Sequence, residues 1–173
     1  MNTVAETERL LLRELVPDDL DFLAEMLADP EVMRFYPNPL SRTEAEVWLN
    51  RQFQRYADHG HGLWLVVAQR TAVPIGQVGL AIQDVNGNPE PEIGYLLHRP
   101  FWHHGFATEA ALAVRNLAFT RFQKASVISL IRPINLPSQA VARRIGMRQE
   151  AEVSFKGILH LLFRVARAHH GPS

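Results

Sequence analysis

The sequence predicts an α/β domain: a mixed, mostly antiparallel sheet of about seven strands with four helices on its faces. Three observations predict it. Short apolar runs alternate with amphipathic stretches in the order β-α-α-β-β-β-α-β-α-β-β. One helical stretch lies between two apolar runs, which is the crossover that makes strands parallel. The other strand connections are short enough for hairpins. A chain of 173 residues suits a single domain, 1–173, with a full core.

"ERLLLREL" is the first strand. "VPDDLDFLAEML" places Pro17 and two aspartates in a first helical turn, with Leu20, Leu23 and Leu27 on one face. "SRTEAEVWLNRQFQRY" opens on Ser41 and Glu44 at capping-box spacing and keeps Ala45, Trp48, Leu49, Phe53 and Tyr56 in a helical stripe. "GLWLVVAQR" and "PIGQVGLAIQD" are strands joined by a hairpin. "DVNGNPEP" is a loop of turn residues, and "EIGYLL" is the fourth strand. A helix from near Gly105 to about Phe119 turns Ala107, Ala111, Val114 and Ala118 to one side. "ASVISLI" is the fifth strand. "NLPSQAVARRIG" is a short helix with Asn135 as N-cap and Gly146 as stop, and "RQEAEV" and "HLLFRVARA" close the sheet. "AHHGPS" is expected to be a mobile tail.

Composition narrows the chemistry. With no cysteine, disulfides, Cys-bearing zinc sites and a thiol nucleophile are excluded. Acyl chemistry must then use another nucleophile or pass directly between substrates. The net charge of zero argues against a nucleic-acid partner. No apolar run reaches the ~20 residues of a membrane span, and the N-terminus has no signal pattern, so a cytoplasmic protein is expected. Of the eight histidines, His103 and His104 are adjacent, so their side chains diverge, and no H-E-x-x-H string occurs; no metal is expected. Charge is unevenly spread. Residues 1–98 carry 7 basic and 15 acidic side chains, while 99–173 carry 11 and 3. An anionic ligand would prefer the second half, unless the charges mix on the folded surface.

The stretch "EIGYLLHRPFWHHGFATEA", Glu92–Ala110, runs from a strand through a short loop into a helix that starts at a lone glycine. Such a start presents unpaired N–H groups and the positive end of the helix dipole to an anion, and Gly105 allows close backbone approach. Many helices begin this way without a ligand. Neither a Walker A string nor a G-x-G-x-x-G string is present.

The same stretch resembles the acetyl-CoA motif of the GNAT N-acetyltransferases. It is nearest to the Rim-type branch, which includes ribosomal-protein N-terminal acetyltransferases. "TERLLLREL" and "NLPSQAVARRIGM" resemble that branch as well, so the resemblance runs from about Glu8 to about Arg167. It implies the GNAT fold over about 8–167, with 168–173 as a tail. It implies acetyl-CoA as co-substrate and an amine acceptor, a small molecule or a protein N-terminus, attacked directly in a ternary complex by a monomer or homodimer. Tyr95, Leu96 and Leu97 are then expected along the pantetheine. The amides of His103, His104, Gly105, Phe106, Ala107 and Thr108 are expected around the pyrophosphate. Asn135 is expected on the pantetheine, a role compatible with capping its helix. Glu92 is the candidate general base, or else a substrate contact, and Ser138 is the candidate proton donor to the leaving thiolate, or else a plain helix-start serine. Arg143 and Arg144 are candidates for an outer phosphate, with a solvated helix face the expectation for at least one of them. Acceptor choice is expected near Met33–Asn38 and Ser154–Leu159. Three departures stand out. His103 replaces a usual glycine, Trp102 replaces the Q/R of the wider superfamily, and Ala142 stands where many relatives have tyrosine. These departures keep open a second reading, a domain that holds CoA without catalysis.

Overall fold

The computed structural model describes residues 2–168, so the tail expected at 168–173 lies, beyond Ala168, outside the described residues. Among the described residues, eight strands form one sheet in the order β1-β2-β3-β4-β5-β6-β8-β7. In chain order they are β1 (Thr3–Glu6), β2 (Leu10–Arg13), β3 (Leu63–Ala68), β4 (Val73–Val85), β5 (Asn88–Leu97), β6 (Ser126–Ile131), β7 (Arg148–Phe155) and β8 (Ile158–Ala166). The helices are α1 (Leu20–Ala28), α2 (Arg42–His59), α3 (Phe106–Thr120) and α4 (Leu136–Arg144). The additional strand is β1, four residues of edge hairpin paired irregularly with β2, too short to show a period in the sequence.

Two helices, α2 and α4, begin where their capping chemistry directs. Ser41 accepts from the Glu44 N–H, and the Glu44 carboxylate accepts from the Ser41 N–H at 2.7 Å, completing the capping box of α2. Asn135 accepts from the Ser138 N–H at the start of α4. The helix start expected at Pro17 is a single 3-10 turn, Pro17–Asp19, ahead of α1. Asp19 leaves that turn to accept two bonds from the Arg13 guanidinium, each 2.7 Å, in a buried pair that ties α1 to β2.

The sheet is covered on both sides. Leu10, Leu12, Trp64, Val66, Val78, Leu80 and Ile93 pack against Ala110, Ala111, Val114 and Ala118 of α3 and Val141 and Ala142 of α4. On the other face Leu65 and Val67 meet Leu23, Met26 and Leu27 of α1 and Ala45 and Leu49 of α2. The expected loop "DVNGNPEP" is a two-residue turn instead. Asn86 and Gly87, at φ 53° and 83°, close a tight hairpin, and β4 and β5 pair as far as Val85 and Asn88. Pro89 and Pro91 fit in β5 because their missing N–H groups would face away from β4.

Among the described strands only β5 and β6 run parallel, and their sole ladder pair is Glu92 with Ile128. Beyond it the two strands part toward their C-terminal ends. There the Ile93 carbonyl, which faces β6, accepts from the Ser129 hydroxyl at 2.8 Å rather than from a backbone amide. That parting is the feature that positions the candidate site, since ligands of open sheets collect where parallel strands end.

Candidate active site

The loop from β5 to α3 is held in an unusual conformation. His103 has φ 63° and Gly105 φ 79°, both left-handed. Glycine tolerates that region freely, whereas for histidine it costs energy. Gly105 is the N-cap of α3 and supplies no side chain to bond the first amides of the helix. A Cβ placed at 105 would meet nothing nearer than Arg9 Nη2 at 3.5 Å, so the space over the helix start is open.

Groups far away in sequence clamp this loop. Glu109, in the first turn of α3, accepts from the Thr7 hydroxyl at 2.6 Å, the Arg9 N–H at 3.0 Å and Arg9 Nε at 2.7 Å. These bonds hold its carboxyl below the usual range despite the opposing effect of burial. Arg9 also donates to the His104 carbonyl at 2.9 Å and lies over the Phe106 ring. Trp102, the departure from the superfamily pattern, donates from its indole to the Leu97 carbonyl at 2.8 Å and packs against both cores. The loop is thus pinned while its amides stay unclaimed by side chains. A groove of about 740 Å³ runs over it, lined by Thr7, Glu8, His103, Gly105, Thr108, Glu109, Leu112 and Arg144. Arg144 therefore reaches this groove. Arg143 instead lies over the Phe163 ring and bonds Gln139.

The strain at His103 gives a direct test. His103→Gly should leave stability unchanged or raise it by up to about 1 kcal/mol, because relief of the left-handed penalty is partly offset by a more flexible unfolded chain. Urea unfolding measures this. A loss of more than about 1 kcal/mol would show that the imidazole itself holds the loop.

Among the β5 residues, backbone alternation separates the three expected along one ligand. Tyr95 and Leu97 direct their backbone groups to the same edge as Ile93, beyond the last ladder pair, and the Leu97 carbonyl is taken by Trp102. Leu96 faces β4, opposite Gln77. The Tyr95 side chain crosses the parting and donates to the Ser138 carbonyl at 2.6 Å, joining β5 to α4. Burial and the nearby Glu92 raise its hydroxyl pKa. Ser138 and Asn135 sit at the first turn of α4, and Asn135 uses its side-chain oxygen as the cap. Ala142 is wholly buried, so this position faces the core.

Glu92 lies where β5 and β6 part, on the α1–α2 side of the sheet. Its Oε2 is sequestered and has no hydrogen-bond partner. Burial pushes its carboxyl up to about 7; the Gln83 side chain, Arg55, Lys156 and the Leu130 N–H act in the opposite direction. Glu90, on the same face, is instead consumed by two bonds from Arg164, at 2.9 and 3.0 Å. Of the expected acceptor segments, Met33 packs in the core, while Tyr36 remains 41% exposed. Burial and the Glu92 charge push the Tyr36 hydroxyl up to about 12 even though solvent still reaches the residue. Tyr36 meets the Trp48 ring edge-on, and the Trp48 indole donates to Gln77 at 3.1 Å. The segment Ser154–Leu159 is the β7–β8 hairpin tip, with Lys156 and Gly157 at positive φ.

Several site residues escape a reading of the sequence. Arg9 and Glu109 are 100 positions apart, and Tyr36, Trp48, Arg55 and Gln77 come from three different parts of the fold. No local pattern joins them. The one available signal is Gln77, a polar residue in the middle of an apolar strand.

Known proteins share this fold. The family model for the acetyltransferase (GNAT) domain matches residues 9–148. YkkB of Bacillus subtilis, itself uncharacterized, is 33% identical over 142 residues, covering 82% of this chain and 83% of its own. The crystal structure of an acetyltransferase from Agrobacterium tumefaciens superposes with a TM-score of 0.84 at 29% identity, covering 96% of this chain and 95% of its own. RimL, a ribosomal L7/L12 α-N-protein acetyltransferase solved with coenzyme A, shares the fold with a TM-score of 0.77 at 19% identity, covering 96% of this chain and 97% of its own. By its family match and its fold, the chain belongs to the GNAT family of N-acetyltransferases.

Proposed function

We propose that this protein transfers an acetyl group from acetyl-CoA to an acceptor amine by direct attack in a ternary complex. One observation carries the reading: a desolvated carboxyl, Glu92, with a free Oε2 and a pKa near neutrality, stands at the parting of β5 and β6. A carboxyl of ordinary acidity is a poor base for an ammonium group, whereas one at about 7 is well matched to the task.

The residues present fit acetyl-CoA. The uncapped start of α3 and the open space at Gly105 suit a pyrophosphate. The amides from His103 to Thr108 would hold it, with the Thr108 hydroxyl and Arg144 at the groove wall. The free edge at Tyr95 suits the amide groups of pantetheine, and Asn135 retains its side-chain N–H₂ for the same arm. Support also comes from RimL, whose structure holds coenzyme A on the same fold. Acetyl-CoA supplies an acyl group activated as a thioester. Glu92 Oε2 takes the proton that the amine must lose, directly or through water. The Ser138 hydroxyl, at the positive end of α4, donates toward the departing sulfur. With no cysteine in the chain, direct transfer needs no thiol intermediate.

Thermal and urea unfolding with acetyl-CoA test the co-substrate. At a hundredfold excess over its dissociation constant the ligand should stabilise the fold by about 2.7 kcal/mol. An unchanged melting temperature at millimolar acetyl-CoA would remove the assignment.

A further inference from the structure

The groove over the start of α3 carries an awkward balance of charge for the pyrophosphate assigned to it. Its lining holds two carboxylates, Glu8 and Glu109, against one guanidinium, that of Arg144. Glu109 lies in the first turn of α3, and its N–H makes a helical bond to the Gly105 carbonyl at 3.1 Å. The amides of Phe106, Ala107 and Thr108, ahead of that bond, are those a pyrophosphate would take. A carboxylate beside them repels the ligand and competes with it for the positive end of the helix. Glu109 is charged at neutral pH: burial opposes ionisation, but the bonds from Thr7 and Arg9 outweigh it and hold the carboxyl below the usual range.

Arg9 answers that charge from the β1–β2 turn. Its Nε and Nη2 both meet Glu109 Oε2, at 2.7 and 2.6 Å. Its Nη1 donates to the His104 carbonyl at 2.9 Å, and the guanidinium lies 4.5 Å from the centre of the Phe106 ring. Nη2 is also the atom nearest the Cβ position of Gly105, 3.5 Å away. The cation therefore borders both the carboxylate and the open space over the helix start. A clamp alone would not need it. Glu109 Oε1 already accepts from the Thr7 hydroxyl and the Arg9 N–H, which tie α3 to the turn without any charge. The guanidinium adds a positive charge, and it is the more exposed partner, 45% against 19%.

We infer that Arg9 is a positioning residue for acetyl-CoA whose charge masks Glu109, so that the pyrophosphate meets the start of α3 without an opposing carboxylate. The inference rests on the reading of that helix start as the pyrophosphate site.

Calorimetric titration with acetyl-CoA at low ionic strength tests it, with urea unfolding to check that each variant is folded. Arg9→Met should weaken binding about 10- to 100-fold, the scale of one like charge a few ångströms from the ligand in a partly screened site. Adding Glu109→Gln to that variant should recover most of the loss, because the exposed carboxylate is then gone. The gap between the single and the double variant should narrow as salt is raised, which a lost contact would not do. Glu109→Gln alone should bind at least as tightly as the parent, and it keeps the test open if Arg9→Met folds poorly. A double variant no tighter than Arg9→Met, or a folded Glu109→Gln protein that binds tenfold more weakly than the parent, would make the pair a structural clamp and overturn the inference. The acetyl-CoA reading would still stand. A parent that does not bind acetyl-CoA would overturn both.

Discussion

Glu92→Gln should lower turnover by about 10²–10⁴-fold, the usual worth of a general base, while acetyl-CoA affinity changes far less. The amide keeps the size of the side chain and an accepting oxygen but cannot take a proton. In the parent, kcat/KM should rise as pH passes through about 7, where the carboxyl becomes ionised. That step should be missing in the variant. Stability should move the other way. The native pKa of about 7 lies above the ordinary 4.5, so the folded state binds the extra proton between those values. The carboxyl therefore costs nothing at pH 4 and costs progressively more stability as pH rises toward 7, by up to about 3 kcal/mol. Glu92→Gln should thus match the parent in urea at low pH and exceed it at pH 8. A variant that is slower and also less stable at pH 8 would mean that Glu92 is a structural residue.

Gly105→Val should weaken acetyl-CoA binding by about 10²–10⁴-fold, the equivalent of losing two charge-assisted hydrogen bonds. The branched side chain would stand in the open space over the start of α3, where no side chain can replace the backbone amides. The substitution also carries a stability cost. At φ 79° every L-residue is strained, by roughly 1–2 kcal/mol, and a β-branched one more. Gly105→Ala therefore serves as the companion, with much of the strain and less of the obstruction. Affinity should fall in the order Gly, Ala, Val. Parent-like affinity in a folded Val variant would make the helix start structural.

Local chemistry written into single segments is legible in the amino-acid sequence alone. The Ser41–Glu44 cap, Asn135 as cap and Gly105 at the head of α3 depend on residues within a few positions of one another, and the β5-α3-β6 crossover on consecutive segments. Glu92 can be picked out because it opens the strand that ends in the motif. Its environment cannot, because the free Oε2 and the raised pKa arise from α2, β4, β6 and the β7–β8 hairpin closing around it. His103 shows the same limit at one position. The sequence displays a histidine in place of glycine, while only the backbone reveals that the site demands a positive φ and that the histidine bears it. The "DVNGNPEP" stretch reads as a loop because it is full of turn residues, yet Pro89 and Pro91 sit within β5 and turn their missing amides toward the edge that β4 does not use.

Initial-rate thiol release with acetyl-CoA and an accepted amine varied together tests direct transfer most simply. A ternary complex predicts double-reciprocal lines that intersect, release that depends on the amine, and no acetylated protein when the amine is omitted. Parallel lines with an acetylated protein intermediate, or thiol release indifferent to the amine, would contradict it.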